Sequence, residues 1–158
     1  MSDERPKTAP RFEDQFDQRI ADAMMKSNDK PDGLPGFLGA RFVRFEPGRL
    51  VAEMEVKPEL ITIVGALHGG AMAAFVDHVM GCVLYPLMKR GQWAATTEFK
   101  LNYLSAVRKG KLVAESTVIA LTSRTAVVRV DVENEGRLAC VAQGTLLVSE
   151  PPAAKEKQ

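Results

Sequence analysis

Large apolar side chains recur at helical spacing near the beginning of the chain. In residues 11–26 they occupy every fourth position, at Phe12, Phe16, Ile20 and Met24. Positions four apart lie on one face of a helix, so this spacing predicts a short amphipathic helix. Residues 28–36 are rich in Asn, Asp, Pro and Gly, a composition that is typical of a loop.

Alternating apolar and polar positions predict strands from Phe37 onwards. Residues 42–45 and 50–56 flank the turn Glu46-Pro47-Gly48-Arg49, and their alternation predicts a hairpin with one apolar face. Four further runs carry the strand pattern: 97–103, 111–121, 128–133 and 138–148. The order of helix, hairpin, long apolar segment and meander predicts an α+β fold with an antiparallel sheet.

The run from Gly70 to Met88 is apolar at almost every position, and Asp77 lies near its middle. A helix that is apolar on all sides is one buried in a core, and Pro86 is expected to kink or end it. A buried carboxylate is unfavourable unless it is paired, hydrogen-bonded or protonated. No cation lies three or four residues from Asp77, so no partner on the same helix neutralises it. Asp77 is therefore a candidate functional residue.

The same apolar run has the length of a membrane span, but its composition favours a buried helix. It contains Asp77, His78 and Pro86, and it lies mid-chain between segments with the strand pattern. The first ten residues have no apolar core and do not resemble a secretory signal. We therefore expect a cytoplasmic protein with no membrane partner.

Composition is that of an ordinary globular chain of 158 residues, 46% hydrophobic and 26% charged. The net charge of +1 argues against a nucleic-acid partner. Cys82 and Cys140 lie in apolar segments without a CxxC pair or Cys/His cluster, so we expect buried, reduced thiols and no metal site. We expect a tail and the short helix in 1–34, one domain in 35–150 and a flexible tail in 151–158.

A short motif precedes the predicted central helix. The segment Val64-Gly65-Ala66-Leu67-His68-Gly69-Gly70, with Asp77 seven residues beyond its last glycine, resembles the hotdog-fold acyl-CoA thioesterases. It is most similar to the phenylacetate-pathway (PaaI-like) branch. The resemblance covers residues 35–148 and includes three further segments: Pro35–Gly39, Pro47–Gly48 and Thr97–Leu104.

The resemblance implies a long central helix wrapped by a curved antiparallel sheet. It also implies a homodimer whose sheets join edge to edge and share active sites, a pairing of dimers into a homotetramer, and hydrolysis of acyl-CoA without a cofactor. Asp77 would be the general base or nucleophile, and the Gly69 N–H would bind the thioester carbonyl. Thr96 would help to place the attacking water. Thr62 lies where many members carry Asn, a departure that changes the role of this position.

Gly69 and Asp77 lie too far apart on one helix to act on the same carbonyl. Eight residues at ~1.5 Å per residue separate their α-carbons by roughly 12 Å, whereas a base must come within hydrogen-bond reach or one water of the reacting group. If both are catalytic, they come from different protomers. Free N–H groups at a helix start form an oxyanion site, and Gly69 and Gly70 admit a substrate closely. Glycines that merely permit a tight turn give the same pattern.

The remaining candidates are polar residues in predicted loops. His68 precedes the helix and is expected to orient the loop through hydrogen bonds or to act as a base. Arg108, Lys109 and Arg124 lie in turns and are candidates for binding the CoA phosphates, although solvated turns have the same composition. Two alternative functions stay open: a hotdog dehydratase or hydratase, and a non-catalytic acyl-CoA binding or sensor module on the same fold.

Overall fold

A computed structural model of the chain describes residues 10–150, in which one antiparallel sheet packs against a central helix. The predicted tail at 151–158 and the first nine residues of the predicted N-terminal tail lie outside the described residues. The helices are α1 (Gln18–Lys26), α2 (Gly33–Leu38) and α3 (Gly69–Cys82). The strands are β1 (Arg41–Glu46), β2 (Arg49–Glu55), β3 (Trp93–Tyr103), β4 (Lys111–Leu121), β5 (Thr125–Asn134) and β6 (Arg137–Ser149).

The six strands are arranged in the order β1-β2-β4-β5-β6-β3, and all neighbouring pairs are antiparallel. The predicted α+β class, the first hairpin and the meander of β4, β5 and β6 are therefore confirmed. β3 begins at Trp93 rather than Thr97 and pairs with β6 at the edge of the sheet. This order leaves one long side of β3 without a neighbour within the described chain.

The predicted loop at residues 28–36 contains a short helix, α2, so that part of the prediction is wrong. The Asp32 side chain accepts a hydrogen bond of 2.7 Å from the Gly33 N–H, and Gly39 ends the helix at φ 78°. A side-chain acceptor at the N-cap and a left-handed glycine after the last turn are strong helix boundaries. Phe37 consequently lies in α2, and the first strand begins at Arg41.

Helix α3 ends at Cys82, and a separate 3-10 turn, Tyr85–Leu87, contains Pro86. One side of α3 packs in the core through Met72, Phe75, Val76, Val79 and Met80. The opposite side is exposed or half-buried and carries Gly70, Ala73, Ala74, Asp77 and Gly81. The prediction of a helix buried on every side is therefore wrong for a single chain, because one sheet covers only one side of it.

The apolar stretch Gly69–Leu87 is long and apolar enough to cross a membrane by length and composition. Most of its large apolar side chains nevertheless belong to the hydrophobic core beneath the sheet, with Tyr85 exposed. Cys82 and Cys140 are free and buried, as predicted. Helix α1 is the second half of the predicted amphipathic helix, and its Ala21 is buried.

The outer face of the sheet carries charged side chains as well as exposed apolar ones such as Val113 and Leu147. Arg49 pairs with Glu115 across β2 and β4, and Lys111 pairs with Glu53 at 2.8 Å. Exposed pairs of this kind contribute roughly 0–1 kcal/mol each. The opposite face, turned towards α3, contributes its buried apolar side chains to the core.

Candidate active site

The first turn of α3 is capped by His68. The Gly70 N–H donates a hydrogen bond of 2.9 Å to Nδ1 of His68, while the Ala71 and Met72 N–H groups donate to the His68 carbonyl at 3.0 and 3.2 Å. An accepting Nδ1 implies the neutral ring with its proton on Nε2. This geometry agrees with the predicted orienting role of His68.

The Gly69 N–H donates no hydrogen bond to any described residue. It lies at the first position of α3, where backbone N–H groups have no intrahelical acceptor and the helix dipole favours negative charge. The carbonyl of the same peptide unit, that of His68, already accepts two hydrogen bonds. Such bonding polarises the peptide and strengthens the free N–H as a donor. The Gly69 N–H can therefore hold a developing oxyanion.

Tyr103 lies against this first turn from the end of β3. Its hydroxyl donates a hydrogen bond of 2.7 Å to the Gly69 carbonyl. A Cβ added at Gly69 would lie 2.9 Å from the Tyr103 hydroxyl oxygen, and one added at Gly70 would lie 3.0 Å from Nδ1 of His68. The two glycines therefore make room for side chains of their own chain, in addition to any substrate.

A pocket of about 390 Å³ opens beside Gly69. It lies between the start of α3 and the segment after β3, and its apolar lining comes from Leu67, Met72, Tyr103, Leu104 and Val107. The volume and apolar lining are typical of a site for a small organic group. A larger cavity of about 1180 Å³ lies beside α1 and the β4–β5 turn, and none of the predicted catalytic residues lines it.

The loop before α3 is held by Thr62 and Arg108. The Thr62 hydroxyl donates to the Ala66 carbonyl at 2.9 Å, and Nη1 of Arg108 donates to the Val64 and Gly65 carbonyls at 3.3 and 3.0 Å. Thr62 therefore closes its own loop. Arg108 anchors the same loop from the segment between β3 and β4.

Asp77 is exposed on the single chain, contrary to the predicted burial. It accepts no hydrogen bond and forms no ion pair with a described residue. Its neighbour His78 is half-buried, stacks on Phe42 with ring centroids 5.4 Å apart, and has Nδ1 3.7 Å from Sγ of Cys82. Burial lowers the pKa of His78, while the charge of Asp77 acts in the opposite direction.

Thr96 lies on the face of β3 that points towards α3, because it pairs with the buried Leu146. The Tyr103 end of β3 contacts the start of α3. The Phe99 side chain and the Met80 sulfur both lie against Gly144, so β3 runs antiparallel to α3. Thr96 therefore lies towards the C-terminal half of the helix.

The predicted catalytic residues consequently fall into two groups within one chain. His68, Gly69 and Thr62 lie around the start of α3, whereas Asp77 and Thr96 lie towards its other end. Eight residues along an α-helix correspond to ~12 Å. The single chain therefore brings together the oxyanion donor and its supports, but not the donor and the acid.

The predicted cationic cluster is also divided. Arg108 and Lys109 lie near the start of α3, just before β4, whereas Arg124 lies in the turn after β4. Ten steps at ~3.3 Å along the strand separate the two ends by roughly 33 Å. Arg124 therefore does not join the other two in one chain. The nearby Lys111 binds Glu53, which raises the pKa of this lysine.

Comparison with known proteins identifies the family of this chain. A family model described as the thioesterase superfamily matches residues 64–141, the segment with Gly69, Asp77 and Thr96. The proofreading thioesterase EntH of Klebsiella pneumoniae is 30% identical over 107 residues, which cover 67% of this chain and 78% of that protein. The chain belongs to the thioesterase superfamily. Acyl-coenzyme A thioesterase 13 of Homo sapiens is 29% identical to this thioesterase over 99 residues, 62% of this chain and 70% of that one.

Solved structures of thioesterases share the fold. A thioesterase from Haemophilus influenzae matches with a TM-score of 0.77 at 23% identity, covering 87% of this chain and 94% of that chain. A mutant of the phenylacetic acid degradation protein PaaI from Thermus thermophilus matches with a TM-score of 0.67 at 25% identity, covering 73% of this chain and 98% of that chain. The predicted hotdog fold, the PaaI-like resemblance and the prediction of a thioester hydrolase are confirmed.

Two contacts of this thioesterase escaped prediction from the sequence. The alternation along β3 puts Tyr103 on the face of Leu101, but no pattern indicates that its hydroxyl reaches the Gly69 carbonyl. The positive charge of Arg108 suggested a phosphate ligand, yet its guanidinium is bound to loop carbonyls. Both contacts join segments more than thirty residues apart, which sequence spacing does not reveal.

Proposed function

We propose that this thioesterase hydrolyses acyl-CoA to a free acid and CoA in active sites shared by two chains. Acyl-coenzyme A thioesterase 13, a relative that matches 62% of the chain, supports the substrate class. The observation that carries the proposal is the arrangement on α3. A free N–H at Gly69 and an exposed carboxylate at Asp77 lie on the same helix, ~12 Å apart, so each needs a counterpart from another chain.

The edge strand β3 supports a particular mode of pairing. It has 11 residues, carries Thr96 and Tyr103, and has one side without a neighbour among the described strands. The other edge strand, β1, has six residues and is in contact with α1. A long open edge readily pairs with a strand of another chain. We therefore infer a homodimer joined through β3, with dimers pairing further into a homotetramer.

The proposed reaction begins when the Asp77 carboxylate takes a proton from a water molecule whose oxygen attacks the thioester carbon. The carbonyl oxygen becomes negative and accepts a hydrogen bond from the partner's Gly69 N–H. The C–S bond then breaks, its electron pair leaves with sulfur, and the proton held by Asp77 passes to the thiolate. In the nucleophilic variant, Asp77 attacks the carbon directly and the C–S bond breaks with its electron pair leaving on sulfur. Water then hydrolyses the resulting anhydride to the free acid and the Asp77 carboxylate, and the proton released balances the CoA thiolate.

The other candidate residues assist these two groups. Thr96 helps to place the attacking water, His68 holds the start of α3, and the glycine at Gly70 leaves space for the acyl group. Lys109 binds a CoA phosphate near the start of α3, because its charged side chain is exposed there. Arg108 anchors the loop beside it.

The test is the hydrolysis of a panel of aromatic, short-chain and long-chain acyl-CoAs, followed by release of the CoA thiol. Asp77→Ala and Asp77→Asn are expected to lower kcat by at least about 100-fold without unfolding the protein. The exposed acid Asp29 provides the control, and Asp29→Ala is expected to retain wild-type turnover. Near-wild-type hydrolysis by a folded Asp77→Ala contradicts the assignment. Binding of acyl-CoA by the wild type without turnover would favour the non-catalytic alternative.

Sharing of sites is tested with two inactive variants that complement each other. Gly69→Pro removes the N–H. Proline is compatible with the backbone there, because it suits the first position of a helix. The residue before it, His68, also has the extended conformation that proline requires, with φ −62° and ψ 130°. Gly69→Ala is the matched control, since it adds the same Cβ and keeps the N–H. Mixing refolded Gly69→Pro and Asp77→Ala chains should restore about a quarter of wild-type activity, because half of the dimers contain one complete site. No recovery in mixed dimers would mean that both residues act within one chain.

A further inference from the structure

Both ends of the Gly69–Gly70 peptide unit are held by side chains of the same protomer. The Tyr103 hydroxyl donates to the carbonyl of this unit at 2.7 Å, and His68 Nδ1 accepts from its N–H at 2.9 Å. His68 is itself the N-cap residue of α3. Tyr103 belongs to the sheet and is 34 residues away from Gly69 in sequence. Tyr103 is thus the side chain that ties the start of α3 to β3.

Two consecutive glycines make this helix start intrinsically loose. Glycine loses more conformational freedom on folding than any other residue, and the first turn of a helix also lacks half of its internal hydrogen bonds. An oxyanion donor must nevertheless be fixed before the reaction, because its effect depends on preorganised geometry. The peptide unit that contains the Gly69 N–H is bonded within the helix through the His68 carbonyl. The next unit, Gly69–Gly70, receives a bond from outside the helix, and this bond restrains Gly69 from its other side.

Tyr103 is well placed to supply such a bond. Its strand position pairs with Cys140 of β6, which is completely buried. Its ring lies so close to Gly69 that an added Cβ would be 3.1 Å from the ring carbon Cζ. The side chain therefore restrains Gly69 both through its hydroxyl and by contact with the ring.

We propose that Tyr103 is a positioning residue that fixes the direction of the Gly69 N–H for the thioester oxyanion. This inference rests on the proposed function. Tyr103 acts through the Gly69 carbonyl and does not touch the reacting atoms. A substrate carbonyl carries little negative charge before attack, so the Gly69 N–H binds the transition state more strongly than the substrate. Loss of the Tyr103 hydroxyl therefore reduces stabilisation of the transition state more than substrate binding, and kcat falls while KM stays nearly constant.

The experiment compares Tyr103→Phe with Tyr85→Phe, which removes the hydroxyl of the only other tyrosine in the chain. Tyr85 lies beyond the opposite end of α3, and its hydroxyl forms no hydrogen bond with a described residue. Kinetics are measured with the acyl-CoA that the wild type hydrolyses fastest. Tyr103→Phe should lower kcat about tenfold and change KM by less than about twofold, whereas Tyr85→Phe should leave both at wild-type values.

Hydrogen–deuterium exchange provides a second readout that does not depend on turnover. The amides at the start of α3 should exchange faster in Tyr103→Phe than in the wild type, and those of Tyr85→Phe should not. Wild-type kcat in Tyr103→Phe, or a loss confined to KM, overturns the proposal even if exchange increases. A wild-type enzyme that hydrolyses no acyl-CoA contradicts instead the function on which the proposal rests.

Discussion

His68 accepts a hydrogen bond of 2.9 Å from the Gly70 N–H, so the residue that precedes α3 is also its N-cap. An N-cap acceptor stabilises a helix by about 0.5–2 kcal/mol. We expect His68→Ala to lower the free energy of unfolding by about 1 kcal/mol, and His68→Asn to lower it much less because Asn is a favoured N-cap. Urea titrations with equal m-values measure the difference. Equal losses in both variants would show that the cap contributes nothing.

The two glycines Gly70 and Gly81 on α3 should respond differently to alanine. A Cβ at Gly81 meets nothing within 4 Å, whereas one at Gly70 lies 3.0 Å from the His68 ring. Gly81→Ala is therefore expected to raise the free energy of unfolding by about 0.5–1 kcal/mol. Gly70→Ala should gain less, because displacement of His68 offsets the better helix propensity. Destabilisation by Gly81→Ala would indicate that a second chain packs closely against this side of α3.

Stability should fall in mildly acidic solution because of His78. Burial lowers the pKa of His78 below its ordinary value of 6.5, against the opposing effect of Asp77. The unfolded state then binds the proton more readily than the folded state. The contribution of His78 to stability is fully present above pH 6.5 and is lost as the pH falls from that value through the folded pKa.

His78→Gln removes this titration and serves as the comparison. Unfolding free energies of both proteins are measured between neutral and mildly acidic pH. The wild type should lose more stability on acidification than His78→Gln, and parallel curves would contradict the prediction.

Arg108 and Lys109 should differ in their effects on KM. One guanidinium nitrogen of Arg108 is bound to the Val64 and Gly65 carbonyls, whereas the Lys109 side chain is exposed beside it. Lys109→Ala is expected to raise KM several-fold for acyl-CoA but not for the matching acyl-pantetheine, which lacks the nucleotide phosphates. Arg108→Ala should impair both substrates, since it releases the loop before α3. Selective loss with acyl-CoA in Arg108→Ala would instead assign Arg108 to phosphate binding.

The two thiols should be unreactive in the folded protein. Burial raises the pKa of Cys82 to about 12 and that of Cys140 to about 11. The thiolate is the reactive form, so a disulfide reagent should label neither residue in native buffer and both in urea. Rapid native labelling would mean that one of them is accessible. The same result allows thiol release from CoA to be followed with such a reagent.

Much of the fold follows from the sequence because its signals are local. The alternation in residues 50–56 reports one buried face, and β2 has that face in the structure. The sequence does not predict helix α2, because Gly33, Pro35 and Gly36 are typical of loops. Its formation depends on Asp32 and Gly39 at its two ends, and these boundary effects outweigh the composition of a six-residue segment.

The predicted burial of Asp77 is wrong for a different reason. A hydropathy scale counts Gly70, Ala73 and Gly81 as apolar and therefore indicates burial. In the structure, these small residues lie on the side of α3 that the single sheet does not cover. The apolar pattern is therefore that of a helix covered on both sides, which is expected in the proposed dimer and not in a single chain. By contrast, the separation of Gly69 from Asp77 required only the rise of a helix, and the structure has both on α3.

The position of β3 has a consequence for how the chain folds. Its only neighbour among the described strands is β6, whose last residue, Ser149, pairs with Trp93. During synthesis, β3 emerges long before the strand that pairs with it, and the 33 residues between the two strands (104–136) must form a closed loop before they pair. Thr96 and Tyr103 therefore acquire their places only when β6 has formed. Shortening β6 would disturb both residues, although they precede it by more than thirty residues in sequence.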